Sequence, residues 1–309
     1  MAPGRDSLRR AGVALATRGA GVESLVTGLP LPLLVAFAVV TQLGDVWFYF
    51  LTLATAFWVG ETVLGDRRQT AFLLGCALTA LALSTTLKGY FGLPRPPGAT
   101  VATGARQLPG ALGVFYADAA TADGTGFPSG HALGAMLVWG GAALTLDGDR
   151  RTRLAAGTAV VGLVGLSRVA LGVHYLVDVL AGWAIGGVAL VVLLGIGADR
   201  SPGRVLSVAA LVALAGAVTN FDATHLTALG ATLGARITWG AVGGDILRAP
   251  TGRRSGLLLT AVGLPLLGGP FAYLYAADPP ATVAFAVSGL VTAGVLVLPL
   301  VADVVRENV

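Results

Sequence analysis

From about residue 24 to residue 302 the chain alternates long apolar runs with short clusters of arginine, aspartate, glycine and proline. A helix needs roughly 20 mostly apolar residues to cross the hydrocarbon of a bilayer. Runs of that kind fall at about 24–43, 46–64, 70–88, 129–147, 153–170, 174–197, 205–219, 226–243, 255–275 and 281–302. The pattern therefore predicts nine or ten transmembrane helices with short turns between them. One connection is long: residues 89–128, rich in Pro, Gly, Ala and Thr, read as a structureless loop, which at that length is functional or disordered.

The charges test this division, because cytoplasmic connections carry an excess of arginine and lysine. With a cytoplasmic start and ten spans, the basic residues fall on the cytoplasmic side with only five exceptions: Arg236 within a span, and Lys88, Arg95, Arg106 and Arg168 on the outer side. Both termini are then cytoplasmic. Residues 1–23 are basic, but Arg18 interrupts their apolar part too early for a signal peptide, so they read as an interfacial segment.

Composition narrows the class further. Only 12% of the residues are charged and 55% are hydrophobic, against about 25% charged in a typical soluble domain. The net charge of +4 is dispersed in small clusters between apolar runs, so it marks topology and gives no basic face for nucleic acid. The single cysteine, Cys76, provides neither an internal disulfide nor a zinc site.

The reactive groups on the outer side gather in three stretches. KGYFGLPRP carries Lys88 and Arg95 at the end of the third span, FPSGH (127–131) opens the fourth, and SRVALGVHYLVD (167–178) joins the fifth to the sixth. Lys88 is the only lysine among 20 basic residues, and His131 and His174 are two of three histidines. Ionisable groups at membrane depth are expensive and mark function. Lys88, Arg95 and Arg168 can donate charge-assisted hydrogen bonds to phosphate oxygens. Ser129 and Gly130, at a helix N-terminus, add a hydroxyl and backbone N–H groups that favour an anion. His174 and Asp178, four residues apart, are expected on one helical face. The carboxylate can take the Nδ1 proton and leave Nε2 as a nucleophile, with His131 protonating the departing oxygen. This is a phosphate cradle and a catalytic pair that need no metal.

These residues resemble the type 2 phosphatidic acid phosphatase family, in the superfamily that includes vanadium haloperoxidases and glucose-6-phosphatase. The family pattern K-x6-RP, PSGH, SR-x5-H-x3-D is met at Lys88, Arg95 and Pro96, at Pro128 to His131, and at Ser167, Arg168, His174 and Asp178. The resemblance covers about residues 45–197 and implies a six-helix core, a histidine nucleophile, an acid histidine and no metal or other cofactor. The fold expected is an all-α, polytopic membrane helix bundle: an N-terminal segment (1–23), a phosphatase core (24–200), and about four additional transmembrane helices (201–309). The function expected is hydrolysis, at the extracytoplasmic face, of a lipid phosphate or diphosphate such as phosphatidate, phosphatidylglycerol phosphate or a polyprenyl diphosphate. Its expected partners are that substrate and membrane lipids. Hydrolysis of a soluble phosphoester, phosphoryl or glycan transfer through the same intermediate, and a transporter or binding protein with an inherited phosphate site remain alternatives. The residues after the core include Asp222, His225 and Asp245, which read as helix-end and loop residues, and Arg236, within a span, for which the lining of a headgroup or interface pocket is the alternative reading.

Overall fold

A computed structural model of the protein describes residues 28–197, 201–249 and 252–307; the interfacial segment expected at 1–23 lies outside them. The described residues are almost entirely helical, with two isolated bridges and no extended strand. In chain order the helices are α1 (Leu31–Thr41), α2 (Val46–Val59), α3 (Arg67–Phe91) and α4 (Gly110–Ala119). Next comes α5, built of Gly130–Ala135, a π-helical stretch Met136–Gly140 and Gly141–Thr145. They are followed by α6 (Arg150–Ala170), α7 (Leu176–Ile196), α8 (Pro202–Thr219), α9 (Ala223–Arg248), α10 (Arg253–Ala276) and α11 (Ala281–Glu307).

Short polar residues between the apolar runs start these helices. Asp45, Asp66, Ser129, Asp149 and Asp222 each accept a hydrogen bond from a backbone N–H of the first turn of α2, α3, α5, α6 and α9. That satisfies donors a helix start otherwise leaves open. Among the described residues six helices are long and apolar enough to cross a membrane: α3, α6, α7, α8, the stretch Arg253–Leu274 of α10 and the stretch Ala281–Val301 of α11. The pair Leu31–Gly44 and Val46–Val59, bent by 53°, passes as a seventh when taken together.

That bent pair corrects the sequence reading at its start. The run 24–43 does not cross the bundle alone. Leu31 packs beside Gly104 of the long connection, Thr41 meets Arg168, Gly44 meets Val164 one turn further along α6, and α2 continues toward Val59, which abuts Gly256 at the far end. Hydropathy gives the length of an apolar run but not its direction, so two runs separated by Asp45 read as two crossings.

The long connection is also more ordered than its composition suggests. Within it α4 packs Tyr116, Ala119 and Ala120 against Leu31, Leu34, Val35 and Ala38 of α1, and the Tyr116 hydroxyl donates to the Thr103 carbonyl at 2.9 Å. Residues 97–120 therefore form a packed cover with α1.

The C-terminal helices share a core with the motif-bearing ones. Val205 of α8 packs with Phe72, Leu73 and Cys76 of α3 and with Leu133 and Leu137 of α5. A Cβ at Gly230 would stand 2.1 Å from the Phe285 carbonyl oxygen and one at Gly234 would stand 2.3 Å from that of Gly289, so α9 and α11 approach backbone to backbone. Small residues allow such close contact between membrane helices. At the end opposite the motifs, the buried Arg67 guanidinium donates to the carbonyls of Phe57, Ile246 and Ala249, tying α3 to the ends of α2 and α9.

Candidate active site

Three turns bring the three motifs to one end of the bundle. Helix α3 stops at Gly92, whose left-handed conformation (φ 56°) releases the chain just after Lys88. Pro94 then bridges Thr125, and the Gly126 N–H donates to the Leu93 carbonyl at 2.8 Å, which sets Arg95 beside the start of the second motif. The Ser129 N–H donates to the Asp178 carbonyl at 2.9 Å, joining the second motif to the third. In the third, the N–H groups of Val173 and His174 both donate to the Arg168 carbonyl, and Gly172 takes a φ of 72°, so the chain folds back sharply after α6.

Two glycines hold space for the basic side chains. A Cβ on Gly130 would lie 2.6 Å from Ser84 Oγ and 3.8 Å from Lys88 Nζ; one on Gly126 would lie 3.3 Å from Asp178 Oδ2 and 3.2 Å from Arg95 Cγ. Ser129 is buried as the cap of α5, its Oγ accepting from the Ala132 N–H, so its hydroxyl serves the helix start.

The Arg95 guanidinium donates through Nε to the Asp123 carbonyl at 2.7 Å and through Nη1 to the Val173 carbonyl at 2.9 Å, and Nη1 stands 3.0 Å from His174 Nε2. His174 Nδ1 is 3.5 Å from Asp178 Oδ2, and that oxygen accepts the Tyr175 N–H at 3.0 Å. The expected pairing of the two residues is therefore present at a distance longer than a hydrogen bond. The expectation that both lie on one helix is corrected: His174 is in the connection before α7, and Asp178 is in that helix's first turn. Burial, reinforced by the charges of Arg168, Arg95 and Lys88, holds the His174 imidazole well below its ordinary pKa, so the ring is neutral.

The second histidine has a partner that the motifs do not contain. His131 Nε2 is 3.5 Å from Asp45 Oδ2, while Asp45 also caps α2 by accepting from the Trp47 N–H. A Cβ at Gly44 would touch the His131 ring at 3.2 Å, so this glycine admits the histidine beside the α1–α2 bend. The sequence did carry a signal: Asp45 is the only charged residue between positions 24 and 60.

Arg168 is 4% exposed. Its Nη1 donates to Thr41 Oγ1 at 2.8 Å and to the Ala119 carbonyl at 3.4 Å, linking α1 and α4 to the site, while its Nε has no hydrogen-bond partner among the described residues. Lys88 and His131 line a cavity of about 1080 Å3 together with Asp45, Ser84 and Gly130. His174 lines a separate cavity of about 330 Å3 under the cover, with Pro96, Tyr116 and Tyr175. The structure thus gathers all the predicted phosphate-binding and catalytic residues at one end, with Arg95 in contact both with Asp123, which lines the larger cavity, and with His174, which lines the smaller.

The later polar residues have separate roles. Asp222 accepts from the backbone N–H and the Nδ1 of His225, each at 2.9 Å, and His225 packs against Gly89, next to Lys88 in the chain. Arg236 donates to Ser207 of α8 at 2.7 Å, and Asp245 pairs with Arg248 at the exposed opposite end.

A family model described as PAP2 superfamily matches residues 69–201, the stretch that holds all three motifs. No curated protein and no solved structure matches the chain.

Proposed function

Since residues 69–201 belong to the PAP2 superfamily, with the phosphatase-type chemistry that membership suggests, we propose that this multi-pass membrane protein is a metal-independent phosphatase of a lipid phosphate or diphosphate, acting through a phosphohistidine. The observation that carries the reading is the Arg95–His174–Asp178 arrangement: a neutral, buried imidazole whose Nε2 accepts from a guanidinium and whose Nδ1 faces a carboxylate.

The steps follow from those groups. Lys88, Arg95 and Arg168 bind the equatorial phosphate oxygens, and the N-terminus of α5 adds backbone donors. His174 Nε2 attacks phosphorus; the phosphorus–oxygen bond to the lipid breaks, and His131 gives its proton to the departing oxygen. Asp178 stabilises the positive charge that develops on the His174 ring, and Asp45 plays the same part for protonated His131. Water then attacks the phosphohistidine, its proton passes to His131, and inorganic phosphate leaves. One ester and one water become one alcohol and one phosphate, and both histidines return to their starting state.

An extracytoplasmic site is supported by the distribution of charge. Arg67, Arg68, Arg150, Arg151, Arg153, Arg204, Arg248, Arg253 and Arg254 lie at the bundle end opposite the motifs, the side that the positive-inside rule assigns to the cytoplasm. The test is phosphate release by purified protein in lipid micelles containing EDTA, across phosphatidate, phosphatidylglycerol phosphate, a polyprenyl diphosphate and glucose 6-phosphate. Release from one lipid that His174→Ala abolishes, with acid-labile label on the wild-type protein, is the expected result; undiminished release by His174→Ala would end the proposal.

A further inference from the structure

The cavity that holds Lys88 and His131 does not stop at the phosphate site. It continues along α3 to Ala71, passing Leu78 and Leu74 on that helix, and its far end is walled by Ala235 and Trp239 of α9 and Val295 of α11. Residues 71 and 88 are seventeen apart on one helix, about 26 Å at 1.5 Å per residue, close to the roughly 30 Å of bilayer hydrocarbon. Charged groups cluster at the end where Lys88, Asp123 and His131 stand, whereas the deep part is lined mainly by alanine, leucine, valine and tryptophan, the Thr292 hydroxyl there donating to the Ala231 carbonyl.

We infer that this channel holds the hydrocarbon chain of the substrate, so that α9 and α11, outside the family-matched stretch, select phosphates borne by a long chain. The assignment rests on the phosphatase reading for the identity of the headgroup, and on the channel itself for the chain. Three observations support it. The volume, about 1080 Å3, is at the upper limit of ordinary small-ligand pockets, which run from roughly 300 to 1,000 Å3. The channel is partly open to its surroundings and not sealed, so a chain can enter it. The channel is also continuous with the phosphate-binding lysine, so a molecule whose phosphate sits at Lys88 has its tail aimed between α3, α9 and α11. A sugar phosphate would leave that space unfilled.

Two measurements test this. In the first, lipid phosphates with a photoreactive diazirine at the chain end, one acyl and one isoprenoid, are irradiated with His174→Ala protein in micelles and the adducts are mapped. Adducts on Trp239, Val295 or neighbouring residues of α9 and α11 are expected, and whichever chain gives them identifies the tail. Adducts confined to outward-facing residues such as Val188, Val191 and Leu211 would overturn the assignment. In the second, wild type and Ala235→Phe are compared on alkyl phosphates of increasing length; the variant's ratio of long-chain to short-chain turnover should fall at least about tenfold, because the added ring shortens the channel. An unchanged ratio would overturn it too. Should Ala235→Phe fail to fold, the cross-linking still decides. Wild-type protein that labels in the channel but hydrolyses nothing would remove the phosphatase reading and leave the channel standing.

Discussion

Nη1 of Arg95 lies 3.0 Å from Nε2 of His174. A guanidinium can only donate, so Nε2 must accept, and the ring proton sits on Nδ1, toward Asp178. The contact thus fixes the tautomer that a nucleophile needs while covering its lone pair. In the proposed mechanism an incoming phosphate would draw the guanidinium onto its own oxygens and uncover Nε2. Arg95→Lys keeps the charge but loses the planar fork. Losing one hydrogen bond to a charged group, worth about 1.5–3 kcal/mol, should lower kcat/KM by on the order of 10- to 100-fold, and losing two by more. A kinetic comparison that finds Arg95→Lys equal to wild type would refute this role.

Asp45 should act through His131 in leaving-group protonation. Asp45→Asn retains a side chain able to cap α2, so the change removes charge with little effect on the fold. A general acid contributes roughly 10²–10⁴-fold where the departing alkoxide is a strong base, and little where it is not. His131→Ala should therefore lose most of its activity on an alkyl phosphate, and Asp45→Asn a smaller part, while both lose less than about tenfold on p-nitrophenyl phosphate. Equal losses on both esters would show that neither residue serves the departing oxygen.

The depressed pKa of His174 makes the stability of the fold depend on pH. Burial and the neighbouring Arg168, Arg95 and Lys88 charges oppose protonation in the folded protein, while in the unfolded chain a histidine takes a proton at about 6.5. Below that value the unfolded state binds the extra proton first. The stability contributed is therefore fully present above about pH 6.5 and falls as the pH drops toward the folded-state value. The chain has three histidines, so imidazole nitrogen NMR in micelles can resolve them, with substitutions for assignment. The His174 signal should keep the neutral Nδ1–H pattern well below pH 6.5, and bound inorganic phosphate, by neutralising the cations, should raise its titration point. A His174 signal titrating at 6.5 in the free protein would contradict the geometry.

The clustering of the candidate site residues was easier to read from the sequence than the path of the chain around them. Lys88, Arg95, His131, Arg168, His174 and Asp178 stand out because ionisable groups in apolar runs are costly, and the structure gathers them at one end. Asp45 escaped because a lone aspartate between two apolar runs reads as a helix cap, which it also is; its approach to His131 depends on the 53° bend. The direction of α1 escaped for a related reason. An apolar helix of eleven residues can run either way, and the contacts of Leu31 with Gly104 and of Thr41 with Arg168 decide between them. The order in residues 97–120 comes from alanines and Tyr116 packed on α1, a tertiary effect with no periodicity to reveal it.

At the end opposite the site, Arg67 ties α3 to α2 and α9. Arg67 is 4% exposed, its Nε donating to the Phe57 carbonyl at 3.2 Å and its Nη1 to those of Ile246 and Ala249 at 2.9 and 2.7 Å. These carbonyls close α2 and α9, where the helix leaves acceptors open and the dipole favours a cation. Arg67→Leu leaves them buried without that donor, which costs about 1–3 kcal/mol for each unsatisfied group. Arg67→Lys retains the charge but cannot reach all three acceptors with one fork. Thermal unfolding in micelles should rank wild type above Arg67→Lys and Arg67→Leu last, with Arg67→Leu lowered by roughly 5 °C or more at about 2–4 °C per kcal/mol. Because Arg67 is at the far end of α3 from Lys88, folded Arg67→Leu protein should keep wild-type KM for a short-chain phosphate, which does not reach the channel end at Ala71. A melting point within about 2 °C of wild type would mean that water or repacking replaces the guanidinium, and that the ends of α2 and α9 are held by helix packing alone.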